Sequence, residues 1–142
     1  AQRNPLVGDI EGNAEAVVSA AREARNLLGA ELVVFPELML TGYPPEDLLL
    51  RPSLNSRVDD ALAHIGERIE VPVVIGYPAV RNGLRRNAAG VLFPGEARPR
   101  HEYFKQCLPN YRVFDEKRYF QPGEQSCVFE LGKERLALTI CE

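Results

Sequence analysis

The sequence lacks the features that mark several large classes of protein. Its 142 residues hold only two histidines, His64 and His101, and three cysteines, Cys107, Cys127 and Cys141. Three is an odd number, and the cysteine spacings of 20 and 14 residues match no zinc pattern. A disulfide framework and a metal site are therefore not expected, and a reducing cytoplasm suits this cysteine usage. Basic charge is not in excess: 17 Lys and Arg against 20 Asp and Glu leave a net charge of −3. That removes the electrostatic case for nucleic acid or an anionic membrane as main partner. No apolar run approaches the ~20 residues of a membrane span. The opening "AQRNPLVGDIEGN" has no basic region followed by an apolar core, so it does not read as a secretory leader. Internal repeats and low-complexity tracts are also missing.

What is present suits one soluble globular domain: 45% hydrophobic and 26% charged residues over an ordinary domain length. Asn13 reads as an N-cap for "AEAVVSAAREARNLL", whose apolar stripe is Val17, Ala20, Ala21, Ala24, Leu27 and Leu28, with Gly29 as the stop. Leu32 to Phe35 form a continuous apolar run, the pattern of a strand covered on both faces. A Pro/Gly loop, "TGYPPEDLLLRPS", leads to a second helix over Leu54 to Ile69, with Val58, Leu62, Ile65 and Ile69 on one face. "VPVVIGYPAV" and "RRNAAGVLF" read as strands around an Asn-Gly type I′ turn, and "RPRHEYFK" as another. A long charged and aromatic loop follows, then a strand pair, "CVFEL" and "RLALTI". The order βαβαββ-loop-ββ argues for an α/β protein with helices packed on a mixed sheet.

Three predicted strand ends carry reactive side chains: Glu37 after "LVVFP", Lys105 after "HEYF" and Cys141 after "LALTI". Open α/β sheets collect ligand groups at the carboxyl ends of their strands. A carboxylate takes a thiol proton, an ammonium stabilises thiolate and oxyanion, and a thiolate attacks an amide or nitrile carbon. Each residue also has an ordinary reading: a loop carboxylate, a surface lysine, a core cysteine. Sequence spacing alone does not bring the three together.

The stretches "VVFPELMLTGYPPEDLLLRP", "LPNYRVFDEKRYFQPG" and "LALTICE" resemble the nitrilase (carbon-nitrogen hydrolase) superfamily. "TGYPPEDLLLRP" and "LPNYRVFDEKRYF" resemble more narrowly the glutamine-hydrolysing domain of the glutamine-dependent NAD synthetases. The resemblance runs over essentially the whole chain and implies an α/β fold, a partial nitrilase-type αββα sandwich with a mixed sheet and helices on one face. Carried over by position, it implies a catalytic triad of Glu37 as general base, Lys105 as oxyanion support and Cys141 as nucleophile. It gives Glu116 a supporting role near the lysine and the attacking water. Tyr111 and Glu142 would line the substrate pocket. The ordinary reading of Glu116 is a loop carboxylate paired with Lys117 or Arg118, and Tyr111 is equally a packing aromatic.

The resemblance further implies glutamine as substrate, and ammonia passed to a synthetase domain, normally in the same polypeptide, that uses ATP and Mg to make NAD. No "SGGxDS"-type phosphate loop occurs in the sequence, so no cofactor is expected within residues 1–142 themselves. Residues 1–142 are expected to be a truncated hydrolase domain, about half of the sandwich, of little activity alone. The apolar surface of a half sandwich also leads one to expect a homo-oligomer. Two alternatives stand beside this: an amidase or carbamoylase with another substrate, and an inactive structural fragment. Arg3 departs from the apolar residue usual in the family's first strand, where a charge would be costly unless exposed.

Overall fold

The computed structural model describes residues 1–141. Helix α1 runs over Ile10–Leu28. Asp9, not Asn13, caps it, its carboxylate accepting from the Gly12 N–H at 3.1 Å. Gly29 ends it in the left-handed region at φ 63°, with its N–H on Arg25 O and the Ala30 N–H on Ala24 O. Asn13 lies one turn inside and is buried. It accepts from Leu6 N and donates to Leu6 O and Leu40 O, tying the leading segment to the chain beyond Glu37. Competing demand for that amide explains why a residue with good capping chemistry does not cap.

Strand β1, Val33–Val34, pairs in parallel with β2, Val73–Arg81. A parallel pair needs a crossover. Here it comprises the Pro/Gly loop, a short 3-10 turn at Glu46–Leu50 and helix α2, Leu54–Arg68. β2 turns through Asn82 and Gly83, at φ 53° and 76°, into antiparallel β3, Leu84–Leu92. Both values are positive, as a type I′ turn requires. β4, His101–Phe104, adds antiparallel to β3 and gives the order β1-β2-β3-β4. β5, Cys127–Leu131, and β6, Glu134–Leu138, form a separate two-stranded sheet.

Two apolar layers hold these pieces together. The larger joins α1 and α2 to the four-stranded sheet through Ile10, Val17, Val58, Leu62, Ile65, Val73 and Ile75. The smaller packs the hairpin against the same sheet through Val74, Val91, Tyr103, Phe129 and Ile140. Helices on one face and strands on the other are the expected mixed α/β arrangement. Each fully buried Leu, Ile or Val contributes about 1.5–3 kcal/mol. Among the described residues no helix is long and apolar enough to cross a membrane.

The structure corrects several sequence expectations. No strand forms before α1; residues 1–9 run without regular structure, and the Ala1 nitrogen lies 2.7 Å from Val34 O, which brings the leading segment beside β1. The strand expected over Leu32 to Phe35 shrinks to two residues, with Val34 exposed, because β1 is an edge strand. Leu27 and Leu28 complete the predicted helical stripe but are exposed, lining an open cleft with Leu32 and Val33. Arg3 avoids the cost of a buried charge: it is exposed and pairs with Glu23 at 3.2 Å.

Candidate active site

β1 delivers Glu37 to the sheet edge. The Phe35 N–H bonds Val74 O at 2.9 Å, Pro36 ends the pairing, and Leu38 turns the chain at φ 50°. β4 delivers Lys105, whose backbone is fixed on both sides: its N–H donates to Asn87 O and its C=O accepts from Gly123 N, each at 2.8 Å. Gly123 passes so near β4 that a Cβ on it would lie 2.1 Å from Phe104 O, so only glycine fits. Glu116 opens a short 3-10 turn, Glu116–Arg118, and its N–H donates to Pro109 O.

These paths meet at the lysine. Lys105 is 2% exposed, and its Nζ donates to Glu37 Oε1 at 3.0 Å and to Glu116 Oε1 at 2.9 Å. Asn87 Nδ2 donates to the same Glu37 Oε1 at 2.6 Å. Burial works against the Lys105 ammonium, but the hydrogen bonds to Glu116 and Glu37 outweigh it, and its pKa ends above the usual lysine value. Burial pushes the Glu116 carboxyl up, and the pull of Lys105 only partly offsets this. Glu116 Oε2 is buried with no hydrogen-bond partner in the protein.

Cys141 follows β6 by three residues rather than standing on it, with its backbone in the left-handed region at φ 52°. Such backbone strain in a non-glycine residue concentrates at functional sites. Cys141 and Glu37 line one small cleft of about 130 Å³, together with Pro36, Gly76, Ala89 and Ile140. The structure thus joins Glu37, Lys105 and Glu116 by hydrogen bonds and brings Cys141 to the cleft that Glu37 lines. Tyr111 is 55% exposed, packs edge-on against Phe114 and lines a different cleft, with Cys107, Leu108 and Phe120. Glu142 lies outside the described residues.

Two residues near the site were not singled out from the sequence. Asn87 is a buried polar residue of β3 between Arg85 and Arg86 and the apolar run that starts at Ala88, and a polar residue following two arginines gives no sequence signal of burial. Tyr43 sits six residues after Glu37. Its phenol is held above the usual tyrosine value by burial, then by the Glu116 and Glu37 carboxylates and by Cys141, with Lys105 opposing. Tyr43 also walls a second cleft of about 250 Å³ with Phe114 and Glu116. A tyrosine in a Pro-rich loop carries no sequence signal for that position. Among the described residues no group of His, Cys, Asp and Glu side chains could hold a metal ion.

The profile of the carbon-nitrogen hydrolase family matches residues 1–142. Glutamine-dependent NAD(+) synthetases from Acinetobacter baylyi and Thermotoga maritima are 44% and 43% identical over the whole chain. The chain spans about a quarter of the length of these curated relatives, 26% and 24%. The solved glutamine-dependent NAD+ synthetase from Acinetobacter baumannii superposes with a TM-score of 0.93 at 41% identity, over 99% of this chain and 26% of that one. The amidase from Nesterenkonia sp. AN1 superposes with a TM-score of 0.84 at 25% identity, over 99% and 55%.

Proposed function

The chain belongs to the carbon-nitrogen hydrolase family, and we propose that it carries the glutamine-hydrolysing site of a glutamine-dependent NAD synthetase. The observation that supports this most is the lysine held between two carboxylates, 3.0 Å from Glu37 and 2.9 Å from Glu116, with Glu37 opening onto the cleft of Cys141. The similarity to the NAD synthetases along the whole chain supports glutamine as the amide.

In this reading Glu37 takes the Cys141 thiol proton as the thiolate attacks the side-chain amide carbon of glutamine. The Lys105 ammonium, whose charge Glu116 and Glu37 favour, stabilises the oxyanion. Collapse of the tetrahedral species breaks the C–N bond. Glu37 returns its proton to the leaving nitrogen, giving ammonia and a γ-glutamyl thioester. Water, deprotonated by Glu37, then attacks the thioester carbon and releases glutamate and the Cys141 thiol. Glu116 holds Lys105 in place, Tyr111 is proposed to line the glutamine pocket, and Glu142 is proposed to contact the amino-acid end of glutamine. Ammonia passes to a synthetase domain outside residues 1–142, where ATP and Mg drive amide formation. The exposed Val34, Leu27 and Leu28 support self-association or docking of that domain.

Ammonia release from glutamine by the complete polypeptide, its loss in Cys141→Ala, and modification of Cys141 by 6-diazo-5-oxonorleucine are the expected results. Glutamine left intact beside rapid hydrolysis of simple amides would replace this reading with a stand-alone amidase. The superposition on the Nesterenkonia amidase is the observation that favours that second reading.

A further inference from the structure

We propose that Asn87 is a positioning residue that holds the Glu37 carboxylate and Lys105 in one frame and orients Glu37 as the base. The inference rests on the Glu37–Lys105–Cys141 reading above and extends it to a fourth side chain. Asn87 is 1% exposed, in a stretch of β3 continued by Ala88, Ala89, Gly90, Val91 and Leu92. A buried amide is costly unless its hydrogen bonds are used. Asn87 uses both of its ends. Its backbone C=O accepts from the Lys105 N–H at 2.8 Å, setting where the lysine leaves β4. Its Nδ2 donates at 2.6 Å to Glu37 Oε1, the same oxygen that accepts from Lys105 Nζ at 3.0 Å.

Two donors on one oxygen fix the carboxylate plane and leave the other oxygen as the one that takes a proton. The amide suits this task because it donates without adding charge. The cluster already holds two carboxylates and one ammonium. A second cation at position 87 would stabilise the Glu37 carboxylate and weaken it as a base. An apolar residue there would leave Glu37 tethered by Lys105 alone. The amide orientation is also determined: turned over, it would set Oδ1 against a carboxylate oxygen. As placed, Oδ1 is buried and has no hydrogen-bond partner in the protein. The molecule thus leaves the amide oxygen unsatisfied while the Glu37 carboxylate keeps both of its donors.

The experiment compares Asn87→Leu and Asn87→Asp with wild type in the complete polypeptide. The readouts are kcat and KM for glutamine, the rate of Cys141 alkylation by iodoacetamide, and the melting temperature, across a pH range from about 5 to 9. Asn87→Leu is expected to lower kcat about 100-fold, the cost of a catalytic group displaced by about 1 Å. KM should change little, as when an interaction made in the transition state is lost. Asn87→Asp donates through its O–H when protonated and becomes a third carboxylate when ionised. Its kcat relative to wild type is expected to rise as pH falls.

A merely structural asparagine lowers the melting temperature without that pH-dependent ratio. Parallel pH profiles for Asn87→Asp and wild type, or wild-type kcat in either variant, overturn the proposal. Should Asn87→Leu fail to fold, the Asp variant's profile decides alone. If the wild-type protein leaves glutamine intact, the substrate assignment fails and alkylation tests Asn87. A Cys141 profile that differs between wild type and Asn87→Asp supports the role, and coincident profiles overturn it.

Discussion

Gly76 of β2 lies against the backbone of Leu38, so close that a Cβ on Gly76 would sit 2.4 Å from Leu38 N and 2.6 Å from Pro36 O. The same contact carries the turn that presents Glu37, since Gly76 O accepts from Leu40 N at 3.2 Å. Gly76→Ala must push the Pro36–Leu38 segment outward. Overpacking of this kind costs about 1–3 kcal/mol. A base displaced by about 1 Å costs about 100-fold in rate. The expected outcome is a variant that folds with a lowered urea midpoint and loses far more activity than stability. Wild-type kcat in Gly76→Ala would show that Glu37 tolerates the shift.

Lys105 supplies the second prediction. It is buried and faces two carboxylates, so its removal leaves Glu37 and Glu116 side by side without a counter-charge. Lys105→Met should destabilise the fold by about 3–5 kcal/mol, the range for removing one partner from a buried pair. Adding Glu116→Gln to Lys105→Met removes one of the stranded charges and should recover part of the loss. Urea unfolding of wild type, single and double variants measures the coupling. Strictly additive effects would contradict the pairing.

The parts of this arrangement differ in how plainly the sequence announces them. Glu37 follows a continuous apolar run and Lys105 ends a short β-prone stretch, and a reactive polar residue at a predicted strand end is a local signal. Helix α2 was legible to within one residue because its apolar face repeats at the helical period. Leu27 and Leu28 obey the same period in α1 yet are exposed, since periodicity does not say which turns a neighbour covers. Asp9 displaced Asn13 as the cap because Leu6 and Leu40 claim the Asn13 amide, a contact spanning 27 residues of sequence. Tyr43 and Asn87 reach the site through folding alone. That Glu37 and Lys105, 68 residues apart, share a hydrogen bond is likewise a product of sheet order.

The pairing of the two helices predicts an acid-labile contact. Arg57 of α2 donates to Glu11 of α1 at 2.9 Å, and this hydrogen bond leads the causes that lower the Glu11 carboxyl from 4.5 to about 2. A carboxyl depressed in the folded state stabilises above its unfolded value. That contribution is lost as pH falls from 4.5 toward about 2. Glu11 is largely exposed and Arg57 partly so, and screening limits the gain to at most about 1 kcal/mol. Glu11→Gln should therefore match wild type in stability near pH 2 and fall below it above pH 5, by less at high salt. A stability difference constant across this range would refute the linkage.

The cysteines give the last prediction. The Cys127 thiol is pushed up by burial first and then by the Glu102 carboxylate, so it ionises less readily than an ordinary cysteine. Cys141 and Glu37 line the same cleft, and in the proposed mechanism Glu37 takes the thiol proton. Iodoacetamide at neutral pH, read by peptide mass spectrometry, should modify Cys141 at least about tenfold faster than Cys127. Glu37→Gln keeps the shape of the side chain and removes the base. It should slow the reaction at Cys141 and leave Cys107 unchanged, because Cys107 lines a separate cleft with Tyr111 and Phe120. Equal slowing at both cysteines would point to a general loosening of the fold instead. An unchanged rate at Cys141 would separate Glu37 from the thiol and remove the base from the proposed mechanism.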